Sequence, residues 1–314
     1  MRKSCMMIII SGIALAGCQG ESSGNEREED PLQIHTTVFA LEDFTSKIGG
    51  SEVNAETIYP PNADAHSFEP TANELIQLAE SDAFIYSGVG MEGFVETAED
   101  MLADEGVAMV PAGEGIELIG NDHDHDDDHD HEQDHEAEHE DGDPHIFLDP
   151  VRSIDVAENI KHTLIELRPE QEAYFTENYE ALRDDLETLD QTLESTFAEA
   201  DRDELIVSHA AYGYWEDRYG LEQLSVLGLS PNEEPSQSEL AEIVEIAEEE
   251  DIGYVVFENN VSSSVTEVIQ EEIGAESLVL RNLESISEED MENNEDYFSI
   301  MGKNIETLQT ALNE

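Results

Sequence analysis

Apolar and polar positions fall into two stretches that mix strand and helix spacing, separated by one long helical stripe. The first stretch begins at Leu32. Residues 32–38 are a β-rich run, and residues 41–48 take helical spacing until Gly49-Gly50, a helix C-terminal signal. Residues 52–59 read as the next strand, and Thr71-Ala72-Asn73-Glu74 is a capping box opening a helix to about Ser81. Strands at 83–87 and 107–111 flank a helix at 92–102. Four strands joined by three helical crossovers predict a parallel sheet covered on both faces.

The second stretch repeats the scheme. It has predicted strands at 204–208, 223–227, 253–258 and 277–281, and helices after His209, from Ser236 to about Glu250, over 261–273 and over 297–312. Between the stretches, Pro169 suits a first helical turn. Phe175, Tyr179, Leu182, Leu186, Leu189, Leu193 and Phe197 then recur at steps of three and four. This is one apolar stripe over about 30 residues, or about 45 Å of helix. A coiled-coil dimer and a strut packed across two lobes both fit such a stripe; the α/β stretches on each side favour the strut. The expected fold class is therefore α/β, two parallel-sheet lobes joined by one linking helix with a cleft between them. The domains run 32–168, 169–200 and 201–314, each lobe having its own core.

Residues 121–143 break the pattern, with one alanine and no larger apolar residue in an acidic, histidine-rich run. Such a run cannot join a core and is expected as an inserted loop.

The N-terminus carries different information. Arg2 and Lys3 precede a short apolar run over residues 6–16, too short to span a bilayer as a helix. Leu15-Ala16-Gly17-Cys18 then resembles a bacterial lipobox, which implies removal of residues 1–17, lipidation of Cys18, and a polar tether over 18–31 holding the protein outside the cell membrane. Cys5 and Cys18 are the two cysteines, so the body of the chain has no thiol, and any metal must be held by nitrogen and oxygen.

Charge changes the picture of the surface. There are 78 acidic against 12 basic residues, a net −66, and the acids are spread along the whole chain. That distribution reads as adaptation to a saline habitat. It also excludes nucleic acid as a partner and means that no single acid marks a site.

The eleven histidines carry the candidate chemistry. His123, His125, His129, His131, His135 and His139 lie in the acidic run, where imidazoles among carboxylates suit a weak, multi-site zinc collector. His66 and His209 follow predicted strands in different lobes, where open α/β sheets bind ligands. His145 precedes a helix beginning near Ser153. Taken singly, each of these three reads equally as a ligand or as a hydrogen-bonded structural histidine. His35, within a strand, and His162, on a helix, keep the structural reading.

Four segments occur in order. They are Pro60-Pro61-Asn62-Ala63-Asp64-Ala65-His66-Ser67-Phe68-Glu69-Pro70, the Asp143–Pro150 run Asp-Pro-His-Ile-Phe-Leu-Asp-Pro, Ser208-His209-Ala210-Ala211-Tyr212-Gly213-Tyr214 with residues 228–236, and residues 257–263. Together they resemble the metal-binding solute-binding proteins of ABC importers, closest to the zinc (ZnuA-like) branch. The resemblance implies a monomeric, non-enzymatic lipoprotein delivering Zn2+ to an importer's permease and ATPase. It implies a four-ligand site of His66, His145 and His209, with Glu284, or water in its place, as the fourth. The manganese branch has a carboxylate at the position of His209. A manganese homologue and a metal-dependent surface adhesin are the alternatives within this resemblance. A zinc hydrolase is a further class, but no His-Glu-x-x-His helix is present. Asp143, Glu69 and Glu258 are the expected acceptors for the second ring nitrogens, and the strut is expected to restrict lobe movement to small shifts.

Overall fold

The computed structural model describes residues 30–120, 142–233, 235–261 and 263–313. The expected signal, Cys18, nearly all of the tether and the six histidines of the acidic run lie outside these residues. The N-terminal lobe contains β1 (Leu32–Thr36), α1 (Phe39–Gly49), β2 (Val53–Thr57), α2 (Ala72–Ala79), β3 (Ala83–Tyr86), α3 (Val95–Leu102), β4 (Ala108–Pro111) and α4 (Pro150–Leu167). The strut is α5 (Glu172–Ala198). The C-terminal lobe contains β5 (Glu204–His209), α6 (Gly213–Tyr219), β6 (Glu222–Leu227), α7 (Gln237–Glu249), β7 (Tyr254–Glu258), α8 (Ser264–Ile273), β8 (Glu276–Leu280), α9 (Glu288–Glu292) and α10 (Tyr297–Asn313).

Both sheets are wholly parallel and share one topology, β2-β1-β3-β4 and β6-β5-β7-β8. The order reverses between β1 and β3 and between β5 and β7, which places a crevice at the carboxyl ends of those strands. Local chemistry sets the helix starts. Thr71 and Ser236 form reciprocal capping boxes with Glu74 and Glu239 at α2 and α7. Asp149 caps α4, with Pro150 at its first position. The strut departs from the expected start, because Pro169–Gln171 form a 3-10 turn before the α-helix begins.

All seven predicted stripe residues of α5 are buried. They pack the strut against α1, α4, α6 and α10. In consequence the main core is not divided by lobe. It runs from Ile34 and Phe84 of the N-terminal sheet, through Phe175 and Leu186 of α5, to Trp215 and Leu308. A second, smaller cluster of Ile206, Val226, Ile243, Ala247, Ile252, Val255 and Ile269 sits in the C-terminal lobe, beneath α7 and α8. The expectation of one core per lobe fails because the stripe of α5 touches both.

Candidate metal centre

The four residues expected as ligands come together in the cleft. His66 sits in the connection from β2 to α2, and His145 in the segment leading into α4. His209 ends β5, and Glu284 follows β8. Nε2 of His145 is 3.2 Å from that of His66 and 3.4 Å from that of His209. Glu284 Oε1 lies 3.7 Å from His66 Nε2, and 3.6 Å from both His145 Nε2 and His209 Nε2. One donor atom from each residue lies within 4.8 Å of all the others. A tetrahedron with zinc bonds of about 2.0–2.1 Å has edges of about 3.3–3.4 Å. The two imidazole separations lie at that edge length and the three to the carboxylate lie a few tenths of an ångström beyond it, so a small contraction of the donor set would fit a four-coordinate zinc ion.

The donors are held from behind. Asp143 Oδ1 accepts from both the backbone N–H of His145 (2.9 Å) and its Nδ1 (2.7 Å). That bond places the proton on Nδ1 and leaves the Nε2 lone pair facing the cleft. Glu258 Oε2, at the end of β7, lies 2.5 Å from His209 Nδ1, a close ion-pair contact that favours a proton on that nitrogen. Asn282 Nδ2 donates to Glu258 Oε2 (3.0 Å) and to Glu284 Oε1 (2.9 Å), joining the two carboxylates. Glu69 does not take the expected part. It is exposed, and among the described residues no hydrogen bond joins it to His66. The loop is shaped by Asp64 instead, which accepts from the His66 backbone N–H at 3.0 Å and from Ser67 Oγ.

Much of this scaffold crosses between lobes. Tyr214 donates its hydroxyl to Asp143 O (2.6 Å), Trp215 its indole N–H to Leu148 O (2.9 Å), and Tyr297 its hydroxyl to Phe147 O (2.7 Å). His145 belongs to the N-terminal lobe by sequence, yet its segment is pinned by C-terminal side chains. Gly213 permits the approach, since a Cβ there would meet Asp143 Oδ2 at 2.6 Å. The His66 loop is latched likewise. Asn62 N donates to Ile286 O (3.0 Å), and Ser285 Oγ donates to Ala63 O (2.8 Å).

Electrostatics separates the three imidazoles. Burial pushes His66 down to about 4, outweighing the pull of Glu284. Burial also opposes charge on His209, but the Glu258 and Glu284 carboxylates overcome it and push the ring up to about 10. His145 is raised in the same way, burial being overcome by Asp143. Burial alone would raise the Glu284 carboxyl; hydrogen bonding to His145 and His209 holds it well below the usual carboxylate range. In the metal-free cage an ionised carboxylate therefore sits against His145 and His209 rings that favour their protonated form, and a bound cation would displace those protons.

His35 and His162 are not brought into the cage. His35 is half-buried on β1, and His162 is exposed on α4. Sequence reasoning missed the roles of Asn260, Asn282, Tyr214, Trp215 and Tyr297, each of which has a partner 24 to 150 residues away.

Two parallel-sheet lobes on one helical strut, with donors from both lobes meeting in the cleft, define the class of two-lobed solute-binding proteins. A family model described as zinc-uptake complex component A, periplasmic (ZnuA) matches residues 34–311, and the chain belongs to that family. The zinc-binding lipoprotein AdcA of Streptococcus pneumoniae (strain ATCC BAA-255 / R6) is 30% identical over 317 residues, covering 99% of this chain and 61% of that protein. The high-affinity zinc uptake system protein ZnuA of Bacillus subtilis (strain 168) is 32% identical over 301 residues, covering 96% of this chain and 93% of that protein. The crystal structure of the Zn(II)-bound ZnuA-like domain of Streptococcus pneumoniae AdcA aligns with a TM-score of 0.74 at 30% identity, covering 90% of this chain and 100% of that one. The chain therefore spans about three-fifths of the length of the AdcA relatives it matches.

Proposed function

We propose that this chain is a zinc-binding, extracytoplasmic solute-binding protein that captures Zn2+ in the cleft and delivers it to the permease of an ABC importer. His66, His145, His209 and Glu284 are the ligands in this reading. The observation that carries it is the convergence of four donor atoms from both lobes within 4.8 Å of one another, with the His145–His66 and His145–His209 separations of 3.2 and 3.4 Å close to the edge of a zinc tetrahedron. Three imidazoles and one carboxylate favour zinc over the harder manganese ion. Zinc is cargo here. Four protein ligands fill its coordination sphere and leave no position for a reactive water, which supports binding rather than hydrolysis.

Membership of a zinc-uptake family and the zinc-binding names of the relatives support the same cargo. Cys18 would carry the lipid that holds the protein at the outer face of the membrane. The six histidines of residues 121–143 would gather zinc near the cleft, and the protein would act as a monomer. Among the described residues no helix is long and apolar enough to cross a membrane. The test is a zinc titration of the whole chain and of His145→Ala. One tight site in the parent and its loss in the variant are expected; equal tight binding in both would overturn the assignment.

A further inference from the structure

We infer that Asn260 sets the metal selectivity of the cage by holding Glu284 to a single coordinating oxygen. The inference rests on the zinc reading above and extends it to a residue that contacts no ion.

A carboxylate can offer a metal one oxygen or two. Glu284 Oε1 faces the three imidazoles at 3.6–3.7 Å. Its partner Oε2 accepts two hydrogen bonds instead, from Asn260 Nδ2 at 2.8 Å and from the backbone N–H of Ala65 at 3.2 Å. Swinging Oε2 into the cage would break both. The Asn260 amide is oriented by a second acceptor, Ala63 O at 3.4 Å, so its nitrogen rather than its oxygen faces Glu284. Asn260 follows β7, whereas Ala63 and Ala65 belong to the loop bearing His66. One side chain thus fixes the binding mode of the carboxylate and ties it to the loop that supplies the opposite ligand. The Glu284 side chain is fully buried, so while it fills its place bulk water has no ready access to replace the lost donor.

Coordination number follows from this restraint. One oxygen and three nitrogens make four ligands, which suits tetrahedral zinc. Release of Oε2 offers a fifth ligand and a second hard oxygen, moving the site toward ions such as Mn2+ that take more oxygen ligands. Asn260 is accordingly a positioning residue for specificity.

The experiment compares the parent chain with Asn260→Ala and Asn260→Leu in high salt, using Zn2+, Mn2+ and Co2+ at no more than one equivalent so that only the tight site fills. Asn260→Leu keeps most of the side-chain volume and removes the donor, so it carries the test if Asn260→Ala folds poorly. Loss of such a supporting partner typically weakens metal binding about 10–100-fold. Zinc affinity should fall within that range while manganese affinity holds or rises, so the zinc-to-manganese ratio drops at least about tenfold. The intense visible bands of tetrahedral Co2+ in the parent should weaken in both variants. An unchanged ratio with an unchanged cobalt spectrum, or equal losses for both metals, would overturn the role assigned to Asn260. A parent chain with no tight zinc site would overturn the zinc reading itself, and this inference with it.

Discussion

Trp215 donates its indole N–H to the backbone carbonyl of Leu148 at 2.9 Å, so a fully buried side chain of α6 closes the turn three residues beyond His145. Trp215→Phe keeps much of the ring but leaves Leu148 O unpaired in the core, at a cost of about 1–3 kcal/mol. Trp215→Ala adds a cavity and should cost about 3–5 kcal/mol. Urea unfolding in high salt measures both. A Phe variant as stable as the parent would show that the hydrogen bond contributes little.

The cage itself is tested by zinc titration and melting of single variants. His66→Ala, His145→Ala and His209→Ala should each nearly abolish tight binding and the zinc-induced rise in melting temperature. For the parent that rise reflects about 4 kcal/mol at a thousandfold excess of zinc over Kd. Glu284→Ala should weaken binding less, with water replacing the carboxylate. His35→Ala and His162→Ala should match the parent. Loss of binding in either control would show that the ligands have been misassigned.

Asp143→Ala and Glu258→Ala remove the groups facing Nδ1 of His145 and His209. Each should lower zinc affinity about 10–100-fold, short of the loss caused by removing an imidazole. Glu69→Ala should leave affinity unchanged, since that side chain is exposed. Competition against a chelator of known affinity ranks all three.

Gly120 and Gly142 pair as an isolated antiparallel bridge, so the histidine-rich segment leaves and re-enters the fold at adjacent points. Replacing residues 121–141 with a short glycine-serine link should reduce the total zinc bound and leave one tight site. Disappearance of the tight site by calorimetry would refute the separation of collector and cage.

Acidity should act on the metal-free protein through α1. Burial, with Asp43 and Glu56 nearby, pushes Glu42 up to about 7, and burial pushes Asp43 up to about 6. Between the unfolded values of about 4.3 for Glu and about 3.9 for Asp and those folded values, the folded state keeps protons that the unfolded state has released. Stability therefore falls as pH rises through that window. His66 and His209 titrate across the same range with opposite signs, so the contribution of α1 is read by difference: with chelator present, Glu42→Gln should lose less of its urea midpoint between pH 5 and pH 8 than the parent does. An identical pH slope in the variant would sink this account.

The strands and the strut were legible because their signals are local, and the histidines that meet in the cleft because they lie in the four segments that carry the family resemblance. β-rich runs between helical stretches located all eight strands, and the stripe from Phe175 to Phe197 is buried as its period demands. The 3-10 turn at Pro169–Gln171 was not legible, since proline fits either helix start. Asp143 and Glu258 were readable as supports because they lie beside the histidine motifs, whereas Glu69 had the same proximity and faces solvent. Asn260 and Tyr297 were invisible for another reason. Their roles depend on partners that the fold alone brings near, and an asparagine or tyrosine in isolation carries no such signal.

The undivided core also bears on how the molecule comes apart. Apolar contact runs without a break from the first sheet through α5 to α10, so there is no seam along which one lobe can melt while the other persists. Heating should give a single cooperative transition for this body, and a metal ion held at the cleft should protect both lobes to the same degree. The small separate cluster beneath α7 and α8 is the exception. The backbone amides of α7 and α8 over it should exchange with solvent hydrogen through a local opening.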